Sequence, residues 1–177
     1  MEKTKVSKMN YKEAKQIADK YLKLLKPFCE KIEIAGSIRR KKTVVGDVEI
    51  VVIPQKIKKA VGFFDYEMVV HPSFVAIINS LKKVKGEPTG KYTQRILPEG
   101  IVLDLFIASP ENWGLIFAIR TGSANFSHKV LATSWVKKGF KSINGMLHKN
   151  NIPFTIKEEI DLFKLLDLDY IEPNLRN

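Results

Sequence analysis

The segment from residue 46 to residue 54, Gly-Asp-Val-Glu-Ile-Val-Val-Ile-Pro, constrains the fold of this chain more than any other part of the sequence. Its β-branched residues favour a strand, and Pro54 ends that strand. Because side chains alternate between the two faces of a strand, Asp47 and Glu49 point to the same face, about 7 Å apart along the backbone. Two unpaired carboxylates on a half-buried face are costly, so the strand must lie where cations neutralise them.

Two sources of positive charge are open at this point. The run Arg39-Arg40-Lys41-Lys42 could pair with the acids, which is the purely structural interpretation. The other source is Mg²⁺, which prefers carboxylate oxygens, water and substrate phosphate as ligands. Asp104 repeats the pattern, since it is a single acid in the otherwise apolar run Ile-Val-Leu-Asp-Leu-Phe-Ile. If its strand pairs beside 46–54, three carboxylates converge, as a two-metal phosphoryl transfer requires.

The remaining periodicities alternate between helical and extended patterns and predict an α+β fold. Apolar residues at steps of three and four predict a first helix over 11–28. The other predicted elements are strands at 31–36 and 46–54, a helix at 71–84, a hairpin at 91–109, helices near 110–120 and 123–138, a hairpin at 139–150 and a helix near 157–166.

The positive charge is concentrated in the first third of the chain. The net charge is +11 over 177 residues, and residues 1–60 contain 16 Lys or Arg against 7 Asp or Glu, a net charge of +9. Such an asymmetry favours a polyanionic partner, with nucleic acid ahead of an anionic membrane, although lysines also serve solubility.

Membrane and secretory features are not expected. No apolar run reaches the roughly 18 residues of a membrane span, and the charged N-terminal stretch lacks the apolar core of a secretory signal. The only cysteine, Cys29, excludes an internal disulfide and is predicted to be a small core residue. We therefore expect an intracellular protein, in the cytoplasm or with host or viral DNA, that is not secreted.

A second cluster precedes the carboxylate strand. Gly36-Ser37 lies where a strand turns toward a short helix, and glycine allows a ligand to approach the backbone closely. Amides at the start of a helix bind phosphate well, the Ser37 hydroxyl could add a hydrogen bond, and Arg40 could neutralise phosphate charge.

Together these motifs resemble the nucleotidyltransferases of the DNA polymerase beta type, the family X DNA polymerases. That family's signature is Gly-Ser-x-x-Arg, then Gly-Asp-x-Asp, with a third aspartate on a neighbouring strand. The matching residues here are Gly36, Ser37, Arg40, Gly46, Asp47, Glu49 and Asp104. Residues 120–140 resemble the family's Thr-Gly-Ser segment, and residues 170–176 are similar to the Tyr-x-x-Pro-x-x-Arg ending of its thumb.

The resemblance covers almost the whole chain and implies an architecture. It implies a nucleotidyltransferase palm at 1–110, with a small mixed sheet flanked by helices, and a small thumb subdomain at 111–177. The family's N-terminal lyase domain and helix-hairpin-helix fingers have no counterpart, which resembles the minimal viral members.

The resemblance also implies residue roles. Asp47, Glu49 and Asp104 would be the catalytic metal ligands, with Asp104 helping to activate the primer 3′-hydroxyl. Ser37, Arg40 and Gly46 would hold the β- and γ-phosphates, beside Gly36. Thr121, Gly122 and Ser123 would shape the sugar pocket, although Ser123 could equally be only a helix cap.

The sequence departs from the family pattern at several positions of the proposed site. Glu49 replaces the usual second aspartate, Ile119 and Arg120 replace two aromatic residues, Ser127 replaces a frequent asparagine, and Val102 replaces an arginine. These changes concern metal preference and discrimination against ribonucleotides.

The function implied by the resemblance is that of a DNA-directed DNA polymerase that fills short gaps during DNA repair. It would act as a monomer on gapped or primed DNA with a deoxynucleoside triphosphate, using two Mg²⁺ ions or Mn²⁺. Two alternatives stay open: a template-independent or non-DNA nucleotidyltransferase, and a non-catalytic DNA-binding module.

Overall fold

A five-stranded mixed sheet is the centre of the structure, a computed structural model that describes residues 8–62 and 64–177. The helices are α1 (Tyr11–Leu25), α2 (Gly36–Arg39), α3 (Pro72–Ser80), α4 (Trp113–Thr121), α5 (Thr133–Lys137) and α6 (Glu159–Leu165). The strands are β1 (Met9–Asn10), β2 (Cys29–Ile34), β3 (Val44–Val45), β4 (Asp47–Pro54), β5 (Lys56–Ala60), β6 (Tyr66–Val70), β7 (Lys82–Lys85), β8 (Tyr92–Ile96), β9 (Val102–Ile107), β10 (Lys141–Ile143), β11 (Met146–Lys149) and β12 (Ile152–Phe154).

The order of the central sheet is β2-β4-β9-β8-β7. Strands β4 and β9 are parallel, whereas the other neighbours are antiparallel. The sequence-based expectation of an α+β fold with a small mixed sheet is therefore confirmed. The hairpin predicted at 91–109 forms as β8 and β9, and it lies beside β4 as the carboxylate argument required.

One face of this sheet carries the larger core. Helix α1 begins at the cap Asn10, whose side chain accepts a hydrogen bond from the Glu13 amide at 3.0 Å. Its apolar stripe and two residues of α3 pack on alternate residues of β4 and β9, including Ile50 and Leu103. Cys29 belongs to this core as predicted, and burial raises the pKa of its thiol to about 12.

The opposite face carries charge at one end and apolar residues at the other. Val51 and Phe106 pack there against Trp113 and Phe117 of α4, so Trp113 is a core residue. A further apolar cluster joins α4 to the chain that follows it, from Phe126 to Leu166. The start of β4 and the middle of β9 therefore remain open on this face.

Several elements differ from the sequence-based prediction. The helix predicted at 71–84 ends at Ser80, and Lys82–Lys85 forms the lysine-rich edge strand β7, which protects the sheet from further pairing. Strands β5 and β6 form a separate hairpin that was not predicted. The hairpin predicted at 139–150 forms as β10 and β11, and β12 adds a third strand beyond it. Residues Phe126–Ala132 have π-helical geometry.

The helix predicted over 11–28 ends at Leu25 as an α-helix and continues as a 3₁₀ turn at Lys26–Phe28.

Residues 1–7, the beginning of the stretch for which no secretory signal is predicted, lie outside the described residues. Within 8–62 and 64–177, none of the helices combines the length and the apolar character that crossing a bilayer would need.

Candidate active site

The three acids singled out in the sequence lie on adjacent parallel strands. Asp47 and Glu49 belong to β4, and the register places Glu49 directly opposite Asp104 of β9. Alternation puts all three side chains on the face of the sheet away from α1. The register thus brings these three residues to one face of two adjacent strands, as the sequence pattern predicted.

Asp104 is held by two neighbours on β8. The Tyr92 hydroxyl donates to Asp104 Oδ1 at 2.7 Å, and Gln94 Nε2 donates to the same oxygen at 2.8 Å. Burial raises the pKa of Tyr92 well above its usual value, and the hydrogen bond to Asp104 and the charge of Asp104 raise it further. The phenol therefore remains a donor at neutral pH, and it fixes the position of the carboxylate.

The other two acids are electrostatically strained. Burial raises the pKa of Glu49 to about 7, and the charges of Asp47 and Asp104 add to that effect against the opposing charges of Arg40 and Arg120. The pKa of Asp47 is raised for the same reasons, with burial first and Asp104 second, although Arg40 opposes them. Carboxylates brought together in this way favour a bound cation.

The purely structural interpretation, in which Arg39 and Arg40 pair with the strand acids, is wrong for Arg39. Arg39 forms a two-pronged ion pair with Glu159, at 2.6 and 2.8 Å. Arg40 Nη1 donates to the backbone carbonyl of Thr121 at 2.6 Å. Across the described part of the chain, no ion pair connects either arginine to Asp47, Glu49 or Asp104.

Gly36 is required by its surroundings. Its φ of +59° favours glycine, and a Cβ atom there would lie 1.7 Å from Glu49 Oε2. Gly46 differs, because a Cβ atom at that position would meet nothing within 4 Å. The space beside Gly46 is therefore open to a ligand, whereas Gly36 lets the Glu49 carboxylate lie against the backbone.

Two buried polar atoms beside Gly36 have no hydrogen-bond partner, namely Ser37 Oγ and Arg40 Nε. Buried polar atoms are normally paired, so such atoms call for an explanation. Helix α2 spans only Gly36–Arg39, which leaves little macrodipole. Anion binding at this turn would depend on the serine and the arginine rather than on a helix end.

The Thr-Gly-Ser segment is placed beside these arginines. The fully buried Thr121 accepts a hydrogen bond from Arg39 Nη1 at 2.6 Å through Oγ1. A Cβ atom on Gly122 would clash with Phe126 and Ser127. The Ser123 hydroxyl accepts from the Phe126 amide at 3.0 Å, which is the helix-capping role that the sequence left open.

Three polar side chains near the acids were missed at the level of sequence, namely Lys85, Tyr92 and Gln94, and Arg120 was noted only as a departure from the family pattern. A cavity of about 450 Å³ is lined by Glu49, Lys85, Tyr92, Asp104, Phe106 and Arg120. The Arg120 guanidinium lies 4.1 Å from the centre of the Phe106 ring, and Lys85 Nζ lies 4.9 Å from that of Tyr92. Alternation along Tyr-Thr-Gln-Arg, with Asp104 on the next strand, was the signal that could have indicated Tyr92 and Gln94.

The donor set fits Mg²⁺ by its chemistry. All three acids offer oxygen ligands, and the pKa values of Asp47 and Glu49 are raised first by burial and then by the charges of the neighbouring acids, which a bound cation would offset. Within 8–62 and 64–177, no three His, Cys, Asp or Glu side chains are already grouped as a metal cage. Mg²⁺ does not require one, because it commonly binds one or two carboxylates together with water and substrate phosphate.

Comparison with solved structures shows the fold. The crystal structure of Leishmania infantum polymerase beta in a ternary P/T complex superimposes with a TM-score of 0.66 and 17% sequence identity, over 97% of this chain and 77% of that chain. The chain therefore has a polymerase-beta-like fold. No family model matches the sequence, and no curated protein is recognisably similar to it.

Proposed function

We propose that this protein is a metal-dependent nucleotidyltransferase that adds deoxynucleotides to a primer 3′-hydroxyl on DNA. The observation that carries the proposal is the placement of Asp47, Glu49 and Asp104 on one open face of the β4–β9 pair. The fold shared with a polymerase beta is consistent with this chemistry. The unpaired Ser37 Oγ and Arg40 Nε supply donors for a phosphate beside the acids.

We assign metal binding, positioning of Asp104 and phosphate binding to different side chains. Asp47, Glu49 and Asp104 would hold two Mg²⁺ ions, or Mn²⁺, which when bound supply charge neutralisation on the phosphates and activation of the attacking hydroxyl. Tyr92 and Gln94 keep Asp104 aimed at the site through their hydrogen bonds. Ser37, Arg40 and the open space at Gly46 would receive the β- and γ-phosphates.

The reaction follows from this arrangement. The primer 3′-hydroxyl passes its proton to Asp104 and from there to water, its oxygen forms a bond to the α-phosphorus of the triphosphate, the bond from that phosphorus to the bridging oxygen breaks, and pyrophosphate leaves. The chain contributes positioning and electrostatic stabilisation rather than a covalent intermediate. Lys85 and Arg120 add positive charge at the cavity next to Glu49 and Asp104.

The finer points of the proposal come from the family resemblance. The palm would extend over 1–110 and the thumb over 111–177, with Thr121, Gly122 and Ser123 next to the sugar of the nucleotide. The substrate would be gapped or primed DNA, the process short-gap filling in DNA repair, and the active form an intracellular monomer. The separate apolar cluster between Leu115 and Leu166 supports a distinct C-terminal unit.

The test is primer extension on a duplex with a single-nucleotide gap, with each deoxynucleotide in turn and with Mg²⁺ or Mn²⁺. Asp104→Asn keeps the size of the side chain and is expected to lower the rate by at least about 10²-fold. Asp19→Asn is the matched control, because Asp19 lies on α1 and pairs only with Lys15 at the surface.

The outcomes separate the candidate functions. Template-matched addition that Asp104→Asn removes and Asp19→Asn keeps would establish the polymerase. Addition that ignores the template base would instead indicate a terminal or non-DNA nucleotidyltransferase. Tight DNA binding without addition under either metal would favour a non-catalytic module.

A further inference from the structure

The hairpin formed by β5 (Lys56–Ala60) and β6 (Tyr66–Val70) is a two-stranded sheet separate from the central one. It leaves the end of β4 at Pro54, seven residues from Asp47, which corresponds to about 23 Å along the strand. The hairpin is therefore not part of the carboxylate site, and the proposed reaction gives it no role.

The register of the hairpin divides its side chains between two faces. Direct partners in an antiparallel pair share a face. One face consists of the pairs Lys56–Val70, Lys58–Met68 and Ala60–Tyr66, and the other of Ile57–Val69 and Lys59–Glu67. We call these the lysine–tyrosine face and the glutamate face.

The lysine–tyrosine face is basic and exposes an aromatic ring. Lys58 Nζ lies 4.4 Å from the centre of the Tyr66 ring, Tyr66 is 57% exposed and Met68 is 53% exposed. Phe64, at the tip that joins the strands, is 99% exposed. Tyr66 and Met68 adjoin on one face of β6, and contiguous exposed apolar groups are a feature of binding surfaces.

Charge separates the two faces further. Of the ten paired residues of β5 and β6, all of them described, the only acid is Glu67, which lies on the glutamate face and pairs with Lys59 at 3.7 Å. Asp65 precedes β6 in the turn, where its carbonyl accepts from the Val61 amide. Within the hairpin, the lysine–tyrosine face therefore has no carboxylate of its own, and Lys58 beside Tyr66 keeps its charge, whereas the charge of Lys56 interacts with Glu111 of a neighbouring segment.

From this arrangement we infer that the lysine–tyrosine face binds single-stranded DNA. Aromatic side chains stack on unpaired bases of any sequence, while neighbouring lysines neutralise the backbone. The bases of a duplex are already stacked on one another and leave such a ring without a partner, so the exposed Tyr66 favours a single strand. This binding does not depend on nucleotidyl transfer and can be measured without it.

The test is fluorescence anisotropy of the full chain with a labelled twenty-nucleotide oligo(dT), repeated over a range of salt concentrations. Tyr66→Ala is expected to weaken binding about tenfold, because one stacked base is lost. Tyr66→Phe keeps the ring and is expected to bind within twofold of the parent. Lys58→Ala is expected to weaken binding and to reduce the slope of log Kd against log salt by about 0.7.

Lys59→Ala is the matched control. It removes the same charge one residue away, from the glutamate face, and is expected to change the affinity by less than twofold. A Lys59→Ala loss as large as that of Lys58→Ala, or an unchanged affinity in Tyr66→Ala, would overturn the inference. Equal weakening of oligo(dT) and duplex binding by Tyr66→Ala would also overturn it, because stacking on unpaired bases predicts a selective loss.

Discussion

At the scale of single residues, Glu49 is the carboxylate whose charged form is most strongly destabilised by its surroundings. Its carboxylate lies against Gly36 and opposite Asp104, and burial together with the neighbouring acids raises its pKa to about 7. The glutamate is thus harder to ionise in the folded protein than in the unfolded chain, where its pKa is near 4.5. A carboxylate kept under such conditions fits a ligand-binding role better than a role in stability.

This strain predicts a pH-dependent effect of Glu49→Gln on stability. Between about pH 4.5 and pH 7 the unfolded chain releases its proton first, so the parent loses stability as the pH rises, whereas glutamine does not ionise. At pH 8 in a chelator, we expect the variant to be more stable by up to about 3 kcal/mol, and at pH 4 by little. Urea unfolding at both pH values measures the difference.

The control for this comparison is Glu33→Gln, which changes an exposed acid on the adjacent strand β2. It is expected to change the free energy of unfolding by less than about 0.5 kcal/mol at either pH. A destabilised Glu49→Gln at pH 8 would show that the glutamate is stabilised by its surroundings, which contradicts the argument.

The two glycines of the motif predict opposite results. Gly36→Ala forces a side chain into left-handed backbone and displaces Glu49, so we expect a loss of about 2–4 kcal/mol. Gly46→Ala adds a methyl group in open space and is expected to cost less than about 1 kcal/mol. Thermal unfolding compares them, and a Gly46→Ala variant as unstable as Gly36→Ala would refute this distinction.

At the scale of elements, a buried ion-pair network attaches the Gly36–Arg40 turn to the C-terminal part of the chain. Glu159 accepts from Arg39 on α2 and from Arg176 at 2.5 Å, and Arg176 is fully buried. The backbone continues the link, since the Ser123 amide donates to the Arg176 carbonyl at 2.9 Å. The position of α2, and with it that of Ser37 and Arg40, depends on α6 and the chain end.

Glu159→Gln is therefore expected to destabilise the protein by about 3–5 kcal/mol, because two arginines lose their shared partner. Burial alone would raise the pKa of Glu159, but the hydrogen bonds and charges of Arg39 and Arg176 bring it below the usual value. The stabilisation is thus complete above about pH 4.5 and is lost as the pH falls through the depressed folded-state pKa. Denaturant unfolding at pH 7 and at pH 3 measures both effects.

The neighbouring Glu158→Gln is the control. Glu158 is exposed, caps α6 and pairs with Lys31 at the surface, so its loss is expected to cost about 1 kcal/mol or less. If the two variants were equally stable at pH 7, the network would contribute no more than a surface pair does.

Elements with strong local patterns were predictable from sequence, and those fixed by tertiary context were not. The amphipathic stripe of α1 and the alternation of β4 and β9 gave the helix, the strands and the position of the three acids. The β5–β6 hairpin was missed because Lys56–Ala60 lacks the apolar alternation of a half-buried strand. The ion pair between Arg39 and Glu159 was not foreseen, because Glu159 lies 120 residues away in the sequence.

At the scale of the whole molecule, the charge distribution predicts that DNA affinity depends steeply on salt concentration. The net charge of +11 is carried almost entirely by residues 1–60, the part that contains the Gly36–Arg40 turn and β4. Each lysine or arginine that contacts a phosphate releases a counterion, so affinity falls linearly on a logarithmic salt scale. If about six such contacts form, affinity for duplex DNA should fall roughly 10³-fold between 50 and 200 mM salt.

Two single-charge variants locate the contacts. Lys42 is exposed beside the Gly36–Arg40 turn, whereas Lys164 is exposed on α6 in the acidic C-terminal part of the chain. Lys42→Ala should reduce the slope of log Kd against log salt by about 0.9, and Lys164→Ala should leave it unchanged, because only the former removes a phosphate contact. Equal slopes for both variants would mean that DNA affinity depends on the total charge of the protein and not on the position of a lysine. If the Kd of the parent protein did not change with salt, the basic residues would not contribute to DNA binding.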